Sequence, residues 1–281
     1  MRAEEVRAVL DSMGKRPTKS LGQHFLLDDR VIKRQVELAS LREGETVLEI
    51  GPGIGNLTDE ILKYGVKLVA VEQDPGFCAF LKRRFGDRVQ LIQADAVRAF
   101  LPSFDKVVSN LPYKISSPIT FKLLDIGFES AVLMLQREFA ERMVAKHGTP
   151  EYGRLTVGVY YRAECEIAMG VSRSSFWPQP KVESCVVKLT PRPPPFKVRD
   201  EQAFFKVTQA LFSHRRKKAS NCLEIDPAVR EYVTVGMKDA LKSLPYASET
   251  PHVLSPEMIV KPAYALLELM ARSLADAEMF R

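Results

Sequence analysis

Asn110-Leu111-Pro112-Tyr113 puts an amide, a backbone carbonyl fixed by the proline after it and an aromatic ring into four consecutive residues. Two acceptor oxygens and a stacking face are the chemistry such a group offers. It follows Phe104-Asp105-Lys106-Val107-Val108-Ser109, an alternating to apolar run that reads as a buried strand. Open α/β sheets place their ligands beyond the carboxyl ends of their strands, and this segment leaves a strand at that end. Taken alone, the four residues read equally well as a strand and a proline turn, with Tyr113 covering the core.

Other residues of the same kind decide between these readings. Thr46-Val47-Leu48-Glu49-Ile50 is a short apolar strand, followed at once by Gly51-Pro52-Gly53-Ile54-Gly55-Asn56 and by helical periodicity from Leu57 to Tyr64. Strand, glycine turn and helix form the ligand-binding start of a Rossmann-like unit, where glycines let the backbone approach a ligand closely. The spacing is G-x-G-x-G rather than the G-x-G-x-x-G of dinucleotide dehydrogenases, which suits a mononucleoside such as S-adenosylmethionine better than a pyrophosphate. A second strand, Lys67 to Val71, ends on Glu72, placed to accept two ribose hydroxyls. A third, Val89 to Ile92, leads to Asp95, placed to accept from an adenine's exocyclic amine. Each of Glu49, Glu72 and Asp95 alone is an ordinary loop acid; three after successive strands at one sheet edge form a constellation.

The elements that must position these groups belong to an ordinary globular composition. The chain has 281 residues, 46% hydrophobic and 27% charged, with a net charge of +6 from 41 Lys and Arg against 35 Asp and Glu. That balance is compatible with a polyanionic partner without requiring one. The cysteines Cys78, Cys165, Cys185 and Cys222 form no CxxC pair and the histidines do not cluster, so they read as reduced thiols, with no metal site expected. No apolar run reaches membrane-spanning length and no signal-peptide core stands at the N-terminus. A soluble, cytoplasmic protein is expected.

In chain order, Arg2 to Ser12 has a short amphipathic pattern. Lys15 to Leu26 then reads either as a solvated loop tied down by Phe25 and Leu26 or as a segment covering a ligand; His24 alone favours the first. Val31 to Leu41 predicts a helix capped by Asp28 or Asp29, and Asp74-Pro75 starts another that runs to about Phe85. Helices are predicted at Pro118 to Ile126 and Arg137 to Lys146, and strands at Ala131 to Leu135, Glu164 to Met169 and Lys181 to Leu189. Tyr152 to Tyr161 fits helix or strand. Phe176-Trp177-Pro178-Gln179-Pro180 is a stiff loop with two aromatics, either a hydrophobic plug or a platform for a base. Thr190-Pro191-Arg192-Pro193-Pro194-Pro195 is the clearest linker. It predicts a ligand-binding domain over 1–190, a linker at 191–196 and a helical domain over 197–281. In the last, Arg215, Arg216, Lys217 and Lys218 form the densest basic cluster, suited to phosphates.

Four segments recur together and in this order in a known family: Leu21 to Leu26, Leu48 to Gly55, Asn110 to Tyr113 and Phe176 to Val182. The chain resembles the small-subunit ribosomal RNA adenine N6,N6-dimethyltransferases, nearer their archaeal branch, from about Lys19 to Leu189. Beyond Leu189 the likeness is one of length, helical character and basic charge, and no individual residue is carried over. His24 stands where many members have Asn. The resemblance implies an α/β fold, the Rossmann-like class I S-adenosylmethionine-dependent methyltransferase sheet with a smaller C-terminal helical domain. It implies S-adenosylmethionine as methyl donor, held by His24, Leu26, Gly51, Gly53, Glu72, Asp95 and Asn110. The implied acceptors are two adjacent adenosines in the 3′-terminal hairpin of small-subunit ribosomal RNA. The implied partner is that RNA within a pre-assembled small subunit during ribosome biogenesis, and the enzyme is expected to be a monomer.

Adenine's exocyclic nitrogen is a poor nucleophile because its lone pair is conjugated into the ring. If the Asn110 oxygen and the Leu111 carbonyl each accept one N–H, the lone pair turns out of the ring plane, while Tyr113 and Phe176 stack on an extruded base. Two other functions fit less well. A DNA adenine methyltransferase shares a similar four-residue pattern, but Leu111 replaces its proline and no target-recognition domain is evident. A non-catalytic nucleic-acid-binding or ribosome-assembly factor on the same fold has no need of intact glycines together with Glu72, Asp95 and Asn110.

Overall fold

Apolar runs become strands and amphipathic runs become helices in the computed structural model, which describes residues 2–17, 24–230 and 237–279. Leu21, Gly22 and Gln23 of the first recurring segment, with 18–20, lie outside the described residues. The elements begin with α1 (Ala3–Ser12), β1 (Phe25–Leu26), α2 (Asp29–Ala39), β2 (Thr46–Ile50), α3 (Asn56–Leu62), β3 (Lys67–Glu72) and α4 (Pro75–Phe85). Next come β4 (Val89–Gln93), β5 (Lys106–Asn110), α5 (Ser116–Ile126), β6 (Ser130–Gln136), α6 (Arg137–Met143), α7 (Arg154–Arg162), β7 (Ala163–Val171), β8 (Phe176–Trp177) and β9 (Ser184–Pro191). The remainder is helical: α8 (Glu201–Ser213), α9 (Ala219–Ile225), α10 (Pro227–Arg230), α11 (Met237–Lys242) and α12 (Pro256–Met279).

The chain divides into two compact units. The first comprises residues up to Glu141 with Ala163–Arg192, the second Arg142–Arg162 with the residues from Pro193 onward. A single cut at 190–191 is therefore corrected. The segment around α7 joins the C-terminal helices because Tyr152, Val157 and Tyr161 are buried in one cluster with Phe204, Leu211 and Leu254. The linker also starts later than read, because Pro191 is the last residue of β9, opposite Ala163. At a strand end the missing N–H of proline costs little.

In the first unit a seven-stranded sheet runs in the order β4-β3-β2-β5-β6-β9-β7. The β4-β3-β2-β5-β6 ladder is parallel, and β9 is antiparallel to both its neighbours. From β2 the chain winds one way to β3 and β4, then returns to β5 on the other side, so the strand order reverses between β2 and β5. That reversal is where doubly wound sheets open a ligand crevice. The strand interiors are apolar because helices cover the sheet: Val47, Leu68, Val108 and Val132 are buried with Val36 and Ile61 from the helices. Asp28 caps α2, its carboxylate accepting from the Arg30 N–H at 3.0 Å. At the sheet edge away from the crevice, the buried Lys106 ammonium bonds the Ser40 carbonyl at 2.8 Å and the Glu45 carboxylate at 3.0 Å. No described helix is long and apolar enough to cross a membrane.

Candidate active site

β2 and β5 pair only through Val47 with Lys106 and Leu48 with Val107, then part. Ser109 spans the widening gap: its hydroxyl donates to the Ile50 carbonyl at 2.6 Å and accepts from the Ile50 N–H at 3.2 Å. Into the gap the chain sends the glycine turn from one side and Asn110 to Tyr113 from the other. Gly51 has φ +70°, and a Cβ there would stand 3.2 Å from the Pro112 ring, so the two motifs need each other's shape. Gly55 has φ +85°, and its Cβ would meet the Phe85 ring at 2.6 Å. Beneath the turn, Glu49 is buried and accepts from the Thr58 hydroxyl at 2.7 Å. Burial, with the nearby Glu72 and Asp59 charges, pushes its carboxyl up to about 8.

Glu72 faces the same space from the end of β3. One of its oxygens accepts from the Gly53 N–H at 3.2 Å and the other from the Asp74 N–H at 2.9 Å. It thus fixes the glycine turn and keeps lone pairs for a ligand. Burial pushes its carboxyl upward against these donors. Asp74 caps α4, accepting from the Gly76 and Phe77 N–H groups, and pairs with the Lys15 ammonium at 2.7 Å. Against burial, Lys15 and those N–H groups hold Asp74 below the usual carboxylate range. Asp95 accepts from the Val97 N–H at 2.9 Å. Phe77, in the first turn of α4, adds a buried ring.

On the opposite side, β5 ends with Asn110 beside Met134, and the Leu111 N–H reaches the Met134 carbonyl at 3.3 Å. The Asn110 side-chain oxygen is buried and accepts no hydrogen bond. The Tyr113 hydroxyl is 2.6 Å from the Ser184 hydroxyl, which anchors the ring, and burial raises its pKa. His24 stacks on Tyr113 with ring centroids 5.8 Å apart. Its Nδ1 lies 2.7 Å from the Pro178 carbonyl oxygen, an acceptor only, so Nδ1 carries the proton.

β1 and β8 form a two-stranded antiparallel sheet, Phe25 opposite Trp177 and Leu26 opposite Phe176. The loop reading of Lys15 to Leu26 is corrected at its end: Phe25 and Leu26 are strand partners of the proline loop. The Leu26 carbonyl accepts from the Asn56 amide at 2.9 Å, tying this small sheet to the glycine turn. Phe176 is only 5% exposed and packs in the core while also bordering the cavity, so it combines the plug and the platform.

His24, Leu26, Gly51, Gly53, Glu72, Asp95, Asn110, Leu111, Tyr113 and Phe176 all line one cavity of about 510 Å³, of ligand-pocket size. Arg215, Arg216, Lys217 and Lys218 belong to the second unit, in the exposed stretch between α8 and α9. Arg215 is not a free cation: its guanidinium donates to the carbonyls of Pro150 and Tyr152. Sequence reading missed Phe77, Asn56, the Lys15–Asp74 pair, Ser184 and Lys114. Of these only Phe77 had a local signal, a ring one turn beyond the acid that ends β3. Among the described residues no cluster of His, Cys, Asp and Glu could hold a metal.

The cavity fits S-adenosylmethionine on its own features. The glycine turn, whose Gly51 and Gly55 could carry no Cβ without meeting Pro112 and Phe85, brings bare backbone to the cavity, Glu72 and Asp95 supply acceptors at two strand ends, and Phe77 adds an apolar lining. The orphaned Asn110 oxygen calls for an N–H donor that no described residue supplies.

Comparison with known proteins agrees with this geometry. A family model described as ribosomal RNA adenine dimethylase matches residues 14–252. The probable ribosomal RNA small subunit methyltransferase A of Thermococcus gammatolerans is 45% identical over 246 residues, 87% of this chain and 87% of that protein. Its counterpart from Methanothermobacter thermautotrophicus is 50% identical over 223 residues, 78% of this chain and 79% of that one. The crystal structure of a dimethyladenosine transferase from Plasmodium falciparum superposes with a TM-score of 0.71 at 29% identity, covering 87% of this chain and 98% of that one. With its Rossmann-like sheet, its glycine cradle and its Asn-Leu-Pro-Tyr turn, the chain belongs to the ribosomal RNA adenine dimethylase family.

Proposed function

We propose that this protein dimethylates the N6 atoms of two adjacent adenosines in the 3′-terminal hairpin of small-subunit ribosomal RNA. Bound in the cavity, S-adenosylmethionine supplies an electrophilic methyl group on its sulfonium. Glu72 takes the ribose hydroxyls, Asp95 the adenine amine of the donor, and His24, Leu26, Gly51 and Gly53 shape the rest of its site. The observation that carries the reading is the buried Asn110 oxygen without a partner. An unpaired buried acceptor costs about 1–3 kcal/mol, and it is recovered when the target amine arrives.

In the first transfer Asn110 and the Leu111 carbonyl each accept one N–H of that amine and free its lone pair from the ring; in the second, one of them accepts the single N–H that remains. Tyr113, anchored by Ser184, and Phe176 hold the base flat. No strong base stands in the Asn-Leu-Pro-Tyr turn, so the proton leaves to solvent after each transfer and catalysis is mainly positioning. The enzyme works as a monomer in the cytoplasm on a partly assembled small subunit. The test is incubation of the protein with labelled S-adenosylmethionine and unmethylated small subunits, followed by mapping of the label. Label on adjacent adenines of the terminal hairpin is the expected result; label elsewhere overturns the reading.

A further inference from the structure

The ring of Phe100 is 91% exposed, whereas the next most exposed large apolar side chain among the described residues, Ile126, reaches 46%. A ring in water forgoes the stabilisation of burial, and a pliable loop would turn it inward. This loop is held. The Arg98 and Ala99 N–H groups both fold back on the Asp95 carbonyl, at 3.0 and 2.8 Å. From α5, the Lys122 ammonium donates to the carbonyls of Ala96 at 2.7 Å, Val97 at 3.1 Å and Ala99. An ammonium has three protons, and all three serve this turn.

The turn starts at the cavity, since Asp95 and Ala96 line it. Its clamp, α5, begins at Ser116, directly after the short helical turn Tyr113–Ile115. Lys114 in that turn also lines the cavity and is exposed, and among the described residues no carboxylate pairs with it. The rim therefore carries an unpaired cation, and the held turn that leaves the cavity carries a rigid hydrated ring. The exposed chain neighbours of Phe100, Arg98 and Ser103, are polar, so within its turn the ring stands as one flat face. A stacking face and a cation on two segments that leave one cavity are the chemistry that binds single-stranded nucleic acid.

We infer that the RNA strand flanking the target adenine crosses this rim, Lys114 meeting a phosphate and Phe100, on the held turn that leaves the cavity after Ala96, stacking on an unpaired base. This rests on the RNA-methyltransferase reading of the cavity. It is tested with full-length Phe100→Ala, Phe100→Trp and Lys114→Gln on unmethylated small subunits at saturating S-adenosylmethionine. Phe100→Ala should raise the KM for subunits by about 5- to 150-fold, the span of one stacked base, and Phe100→Trp should restore it to within about threefold. Lys114→Gln should lower the slope of log affinity against log salt by about one. Calorimetry should give both Phe100 variants the wild-type affinity for S-adenosylmethionine. A single-stranded oligoribonucleotide should quench the tryptophan fluorescence of Phe100→Trp more than that of wild type, and inorganic polyphosphate should not. An unchanged KM in Phe100→Ala overturns the stacking site. So does a raised KM without quenching by protein-free RNA, which would place a ribosomal protein on the ring. Should the wild type transfer no methyl to subunits while the oligoribonucleotide still quenches, the adenine reading fails and the rim site stands.

Discussion

The Asn110 oxygen, the Glu72 carboxylate and the Tyr113 ring sit in one cavity, yet each is held for a different task. Asn110 is held by the last rung of β5 and keeps its acceptor unused. Asn110→Ala should therefore lower turnover at saturating S-adenosylmethionine by about 100-fold or more, while subunit affinity changes far less. Near-normal turnover would remove the orienting role. Glu72 also holds the glycine turn, so its replacement has two consequences. Glu72→Ala should weaken S-adenosylmethionine binding by about 1–3 kcal/mol in calorimetry. Glu72→Gln, which keeps acceptor geometry on one oxygen, should lose less; equal affinity in all three proteins would take Glu72 out of the site. The groups that could be read from sequence are those carried by strand ends and glycine turns, where local pattern dictates position. Ser184 escaped because it meets Tyr113 from 71 residues away, and Lys15 because Asp74 lies 59 residues on. Such pairs have no local period to betray them.

Elements were legible where periodicity was strong. The strand at Thr46–Ile50 and the helix from Pro75 to Phe85 fall where the apolar runs and the Asp-Pro start predict them. The segment from Tyr152 to Tyr161 did not declare itself because its residues are apolar on several sides. It is a helix, α7, with Leu155, Thr156, Val157, Gly158 and Val159 all buried. β1 and β8 are two residues each, too short for any period, and only their pairing makes them strands. The joint between β2 and α3 has a measurable signature. Folded Glu49 keeps its proton up to about 8, whereas the unfolded chain releases it near 4.5. Between those values the folded state binds the extra proton, so Glu49 makes stability fall as pH rises, and the full loss is reached above the folded value. Glu49→Gln keeps an oxygen for Thr58 and removes the titration. Denaturant melts should show similar stability for the two proteins near about pH 5 and a more stable variant near about pH 9, by at most about 5 kcal/mol. Some slope should remain in the variant, because burial raises the Glu72 carboxyl too. Parallel curves would mean that Glu49 is ionised in the folded protein.

At the scale of the whole molecule the question is how a chain of net charge +6 finds one adenine pair among all cellular RNA. Phosphate contacts give affinity and position but do not read sequence. In the proposed reading such contacts come from the second unit between α8 and α9, where Arg216, Lys217 and Lys218 are exposed. Arg215 belongs to the fold instead, since its guanidinium bonds the Pro150 and Tyr152 carbonyls. The cluster therefore splits into one structural and three surface cations, a distinction that a run of four basic letters could not carry. Replacing Arg216, Lys217 and Lys218 by Gln should weaken subunit binding and reduce its salt slope by up to about 2.7, at about 0.9 per phosphate lost, with little change in melting temperature. Arg215→Gln should instead lower the melting temperature, because the Pro150 and Tyr152 carbonyls lose a charged donor. Selectivity must then come from shape, so partly assembled small subunits should be methylated well and naked full-length RNA poorly. The decisive comparison is the rate on subunits, on naked RNA and on a short isolated hairpin across a salt series. Fast, site-specific methylation of the hairpin, unaffected by loss of the three cations, would assign recognition to the RNA loop alone.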